Sequence, residues 1–147
     1  MKITFCGHAH FRADEFLERR VIMLLEEKIG NCSAEIFLGG CGEFDSFAHR
    51  ICWKYKQTHP NVSIALVIPY LYRDYEKEKY DSLVYPGLEK IPKRLAILYR
   101  NRWMVDHADI LICYIDHSWG GAYKTYLYAK RKNILIINLS PKVLFED

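Results

Sequence analysis

Two kinds of segment alternate along the chain. Five short apolar runs have the length of strands: "ITFCG" (Ile3–Gly7), "AEIFLGG", "VSIALVIPY", "DILICYID" and "NILIINL". Longer stretches between them carry apolar residues at helical spacing. Asp14 stands where it can cap a helix that puts Leu17, Val21, Leu24, Leu25 and Ile29 on one side and closes at Gly30-Asn31. Phe44, Phe47, Ala48, Ile51, Cys52 and Tyr55 mark a second helix. A third is expected after Pro92, through "KRLAILYRNRWMVDHA", and a fourth in "SWGGAYKTYLYAKRK". Between Pro69 and Pro92 lies a tyrosine-rich segment expected as a long loop.

The order β-α-β-α-β-loop-α-β-α-β, with apolar runs continuous enough to be covered on both faces, predicts parallel strands. The expected fold is α/β: a single Rossmann-like domain over 1–147, with a doubly wound parallel sheet of about five strands in the order 3-2-1-4-5. Such sheets bind ligands beyond the carboxyl ends of their strands, where strand order reverses. Glycine and polar residues gather at those ends: Gly7-His8 after the first strand, Gly39-Gly40-Cys41-Gly42 after the second, and Asp116-His117-Ser118-Trp119-Gly120-Gly121 after the fourth.

Composition narrows the classes. The 147 residues suffice for one domain with a real core, half of them being hydrophobic. Five scattered cysteines with no C-x-x-C pair fit reduced thiols rather than a disulfide frame or a zinc site. No stretch reads as a signal peptide or a membrane span, so a cytoplasmic protein without a membrane partner is expected. The net charge of +3 is mild. It disfavours nucleic acid as a partner while leaving room for an anionic small ligand.

The two glycine-rich turns are the candidate chemistry. Gly39, Gly40 and Gly42 precede one helix, and Gly120 and Gly121 precede another. Backbone N–H groups at such helix starts can cradle a phosphate. The expectation is that both turns, with Gly7 and His8, surround one cleft. Asp45 reads equally as a helix cap or a ligand contact, and Asp116 and Ser118 share that ambiguity. Arg100 is expected to reach the cleft and pair with phosphate. His8, His10 and His117 raise the question of a metal, but C-x-H-x-H is no established zinc spacing, and no metal or cofactor is expected. The tyrosine-rich segment reads equally as a lid or as the packing surface of a homodimer.

Three segments together, "TFCGH", "LGGCGEFDSFA" and "RNRWMVDHADILICYIDHSWGGAYKTYLYAKRKNILII", resemble the YpsA-like branch of the SLOG superfamily, which also holds the DprA proteins and the LOG phosphoribohydrolases. The resemblance implies a Rossmann-like protein that binds a nucleotide or nucleotide derivative at its glycine-rich ends. It leaves the question of an enzyme open, leaning towards a binding or sensing module. Two positions depart from the pattern: Ala9 stands where relatives carry arginine, with Arg12 nearby, and Glu43 stands where they carry glycine. The alternative is a LOG-like N-glycosidase acting on a nucleoside monophosphate, with Glu43 and Arg100 as candidate catalytic residues. Arg100 stands nine residues before Asp109, as an arginine does in the LOG enzymes. Glycosidase chemistry needs a carboxylate at the anomeric carbon. The LOG glutamate has no counterpart in Gly120-Gly121-Ala122-Tyr123-Lys124-Thr125. Single-stranded nucleic-acid binding, as in DprA, is the minor alternative.

Overall fold

The computed structural model describes residues 1–142 and 144. Among the described residues, six strands form one parallel sheet: β1 (Lys2–Gly7), β2 (Ala34–Leu38), β3 (Val62–Val67), β4 (Ser82–Val84), β5 (Ile110–Tyr114) and β6 (Leu135–Asn138). Four helices connect them: α1 (Glu15–Lys28), α2 (Glu43–Gln57), α3 (Ala96–Asp106) and α4 (Gly121–Lys132). The sheet order is β4-β3-β2-β1-β5-β6. The five expected strands keep the expected order, and β4 adds a sixth at the edge.

Alternation along the strands divides the core between two faces. Ile3, Phe5, Ile36, Leu38, Ile64 and Ile112 point to one side and pack with Leu17, Val21 and Leu25 of α1 and with Phe44, Phe47 and Ile51 of α2. Cys6, Leu111 and Cys113 point to the other side, towards Val105 of α3 and Ala129 of α4. Phe37, Ala65 and Val67 meet Met104 and Trp103 there. A sheet buried on both faces explains why its strands read as unbroken apolar runs.

Local signals act where the sequence places them. The Asp14 carboxylate accepts the N–H of Leu17 at 2.8 Å and caps α1. After Pro92 the chain makes a 3-10 turn over Lys93–Leu95 before α3 begins. The tyrosine-rich segment is not wholly loop. Asp81 anchors it: its carboxylate accepts the Ile64 N–H at 2.7 Å, its own N–H donates to the Ile64 carbonyl, and Lys56 pairs with it. β4 then runs parallel to β3, Ala65 opposite Ser82. A strand of three residues is too short to give a periodic sequence signal.

Strand order reverses between β1 and β5, the neighbours that lead outwards to β2 and to β6. Cys6 pairs with Cys113 and Gly7 with Tyr114, so the two strands end side by side. A crevice is expected beyond that point. Among the described residues no helix is long and apolar enough to cross a membrane.

Candidate functional site

A cavity of about 330 Å³ opens at the carboxyl ends of β1 and β5. Cys6, Gly7, His8, Ala9 and His10 line it from the end of β1. Cys41 and Asp45 come from the start of α2, and Ile97, Arg100, Asn101 and Met104 from α3. His117, Trp119, Gly120, Gly121 and Thr125 close it from the loop after β5 and from α4. Of the candidate residues, Gly7, His8, Asp45, Arg100, Gly120 and Gly121 stand on this cavity. Gly39, Gly40, Gly42, Glu43, Asp116 and Ser118 are not among its lining residues.

The two glycine turns have different surroundings. At Gly39 a Cβ would come within 3.0 Å of the Arg100 guanidinium carbon. At Gly40, with φ +67°, it would meet a Leu66 methyl at 2.8 Å. At Gly42, with φ +92°, it would meet the Ala9 Cα at 2.8 Å. Side chains are missing from this turn because other parts of the protein fill the space. Gly7 belongs with them, since its Cβ would fall 2.3 Å from the Phe44 ring. Around Gly120 and Gly121 a Cβ would meet nothing within 4 Å.

The carboxylates of the first turn serve the protein itself. Glu43 accepts the Phe11 N–H at 3.0 Å, its own N–H donates to the Ala9 carbonyl at 2.9 Å, and it lines an adjoining open groove with Ser46 and Arg50 that meets the cavity at Ala9 and His10. Asp45 accepts the Cys41 N–H at 2.9 Å from the third helical position; the cap residue is Gly42. Asp45 is only 8% exposed. Burial raises its pKa to about 6, against the opposing pull of the Cys41 hydrogen bond and the Arg100 charge.

Arg100 is 3% exposed. Its Nη1 donates to the carbonyls of Gly39 and Val67, both at 2.9 Å, and its Nε donates to the Asn101 side chain at 2.9 Å. Burial lowers its pKa from the usual arginine value, with Asp45 opposing. It remains a cation fixed at the cavity wall by the carbonyl ends of β2 and β3, and Nη2 takes part in none of these bonds. Asp109, nine residues on, lies at the far end of the sheet, where its carboxylate accepts the Lys2 N–H at 2.8 Å. The two therefore do not form a site together.

After β5 the rings of His8 and His117 stack with centroids 3.4 Å apart and planes 14° apart. Trp119 lies on His117 with centroids 3.9 Å apart. His8 is buried, and its pKa is lowered first by that burial and then by His117, with Asp116 opposing. It is neutral near pH 7, and its Nε2 accepts the Asp116 N–H at 3.2 Å. His117 Nδ1 and the Asp116 carboxylate are 2.7 Å apart. Candidate ligand atoms of His8, Asp116 and His117 all lie within 4.8 Å of one another. They do not suit a metal ion. Imidazole lone pairs lie in the ring planes, and two nearly parallel stacked rings cannot aim both at one centre. The Nε2 lone pair of His8 is also engaged. Sequence reasoning assigned Trp119 no role. An aromatic residue beside a glycine pair was the available sign.

No family model matches the chain, and no curated protein matches it. Among solved structures it is similar to DNA processing protein A (DprA) from Helicobacter pylori, described for its single-stranded DNA binding mode. The two are 19% identical, and the likeness covers all of this chain and 68% of the other with a TM-score of 0.67. The expectation that the mild charge disfavours nucleic acid is corrected here: a protein of this fold binds single-stranded DNA. Charge on a whole chain is a weak guide where a few fixed N–H groups and one arginine can supply the contact. At this identity the likeness establishes the fold: the chain has a Rossmann-like α/β fold shared with about two thirds of that DprA chain.

Proposed function

We propose that this protein binds a nucleotide in the cavity between β1 and β5, with the phosphate at the first turn of α4. The open Gly120-Gly121 turn carries the reading. Among the described residues, the N–H groups of Gly121, Ala122 and Tyr123 donate to no protein group, and the first turn of α4 holds no acidic residue. Such a helix start favours an anion by about 0.3–1 kcal/mol, and by more when partly buried. Arg100 faces the same cavity and adds a fixed positive charge. The resemblance to the YpsA-like branch supports a nucleotide or nucleotide derivative as the occupant. The likeness to DprA supports a second form of the same contact, in which the nucleotide belongs to a single strand.

The reading is one of binding rather than hydrolysis. Glu43 accepts the Phe11 N–H and lies off the cavity lining, and α4 supplies no carboxylate in its first turn. Asp45, which does line the cavity, accepts the Cys41 N–H at the opposite turn under the charge of Arg100. An N-glycosidase needs a carboxylate placed at the anomeric carbon.

Titration calorimetry with nucleoside monophosphates and a short oligothymidylate tests the proposal. Gly121→Val puts a side chain into open space, so the variant folds while the cradle is blocked. Affinity for every ligand that binds should fall at least tenfold. Unchanged affinity in Gly121→Val would place the phosphate elsewhere.

A further inference from the structure

The three-ring stack beside the cradle specifies what else the ligand carries. His8 and His117 stack at a centroid spacing of 3.4 Å, and Trp119 continues the column outwards at 3.9 Å with its plane tilted 34° from that of His117. Its inner member is buried and held by the Asp116 N–H. Its middle member is held by the Asp116 carboxylate. Its outer member, Trp119, is 68% exposed yet lines the cavity. An exposed tryptophan normally samples several rotamers. This one rests on a foundation whose two rings are both fixed, so less rotamer freedom remains to be lost when a second flat group lies on it.

We propose that Trp119 is a stacking platform for the base of the bound nucleotide, so that the site selects nucleotides over other phosphate esters. The inference rests on the phosphate reading of the Gly120-Gly121 turn and adds the recognition of the second half of the ligand. The spacing suits it. Trp119 and Gly121 are two residues apart, and their Cα atoms are separated by at most about 7 Å. That is the scale of the distance between base and phosphate within one nucleotide. Arg100 and Asp45 lie elsewhere on the cavity wall, leaving the ribose between platform and cradle. Stacking tolerates any base, because every base has a flat π face. Trp119 therefore contributes selectivity for a base without selecting which one.

The test compares two ligands that share a phosphate and differ in the base: adenosine monophosphate and ribose 5-phosphate. Affinities are measured for the wild type, Trp119→Ala and Trp119→Phe. In the wild type the nucleotide should bind at least tenfold more tightly. Trp119→Ala should weaken the nucleotide about tenfold and leave ribose 5-phosphate unchanged, and Trp119→Phe should restore most of the loss. If both ligands bind but their affinity ratio is the same in Trp119→Ala as in the wild type, the platform is refuted while the phosphate cradle stands. If neither ligand binds the wild type, the cradle fails and the platform with it.

Discussion

Two helices of this protein begin in the same way and have opposite surroundings. Gly42 before α2 has φ 92° and ψ 173°, and Gly120 before α4 has φ 93° and ψ 173°. Both lie in a region of backbone space that side chains avoid. At α2 the turn is closed by the protein: Ala9 fills the space above Gly42, Leu66 that above Gly40 and Arg100 that above Gly39. Glu43 and Asp45 supply negative charge to the first turn of that helix. At α4 the space above both glycines is empty and the first turn carries no acid. A glycine-rich helix start is thus one backbone device in two settings. What separates them is whether a remote part of the chain packs into the turn.

The largest expected effect separates the two turns by steric cost. Gly42→Ala combines backbone strain with a clash against the Ala9 Cα and should destabilise the fold by about 4 kcal/mol. Gly120→Ala carries the strain alone, about 2 kcal/mol. Urea unfolding of both variants measures the difference, and equal losses would break the comparison.

The next effect concerns the acid buried at the closed turn. The folded-state pKa of Asp45 is raised from 3.8 to about 6, so the folded protein holds that proton more tightly than the unfolded chain. Ionisation then costs stability. The cost is absent below about pH 4, grows as pH rises to about 6, and is constant above, reaching about 3 kcal/mol. Asp45→Asn should remove this part of the pH dependence. Unfolding at a series of pH values, wild type against variant, measures it, and parallel curves would show that Asp45 titrates normally.

A smaller effect tests why Gly39 is glycine. Gly39→Ala should cost about 1 kcal/mol in the wild type, where its Cβ presses on the Arg100 guanidinium, and close to nothing in an Arg100→Ala background. Additive losses would mean that Gly39 answers to something else. Smallest of all is the change at the open turn: Gly121→Ala should alter stability by less than about 0.5 kcal/mol in the same unfolding assay.

The strands, the helices and their order were legible because the central strands are covered on both faces and each helix on one, which leaves patterns of apolar residues. β4 was not, since it is only three residues long and is placed at the edge of β3 by Asp81, with its Val84 packed against the core. The lining of the cavity was legible in part. Arg100 and the Gly120-Gly121 turn are local features and were found where they stand on the cavity. Gly39, Gly40 and Gly42 read as the same feature, because the atoms that fill them come from Ala9, Leu66 and Arg100, distant in sequence. The ring stack was hidden for a similar reason. His8 and His117 meet only because β1 and β5 are neighbours.

The most direct test of the central claim, that the two helix starts differ in use, is the backbone amide spectrum of the labelled protein during titration with a nucleoside monophosphate. The account predicts shifts concentrated at Gly120, Gly121, Ala122 and Tyr123, with the amides of Glu43, Phe44 and Asp45 moving little. Shifts concentrated at Glu43, Phe44 and Asp45, with Gly120 to Tyr123 unmoved, would contradict it.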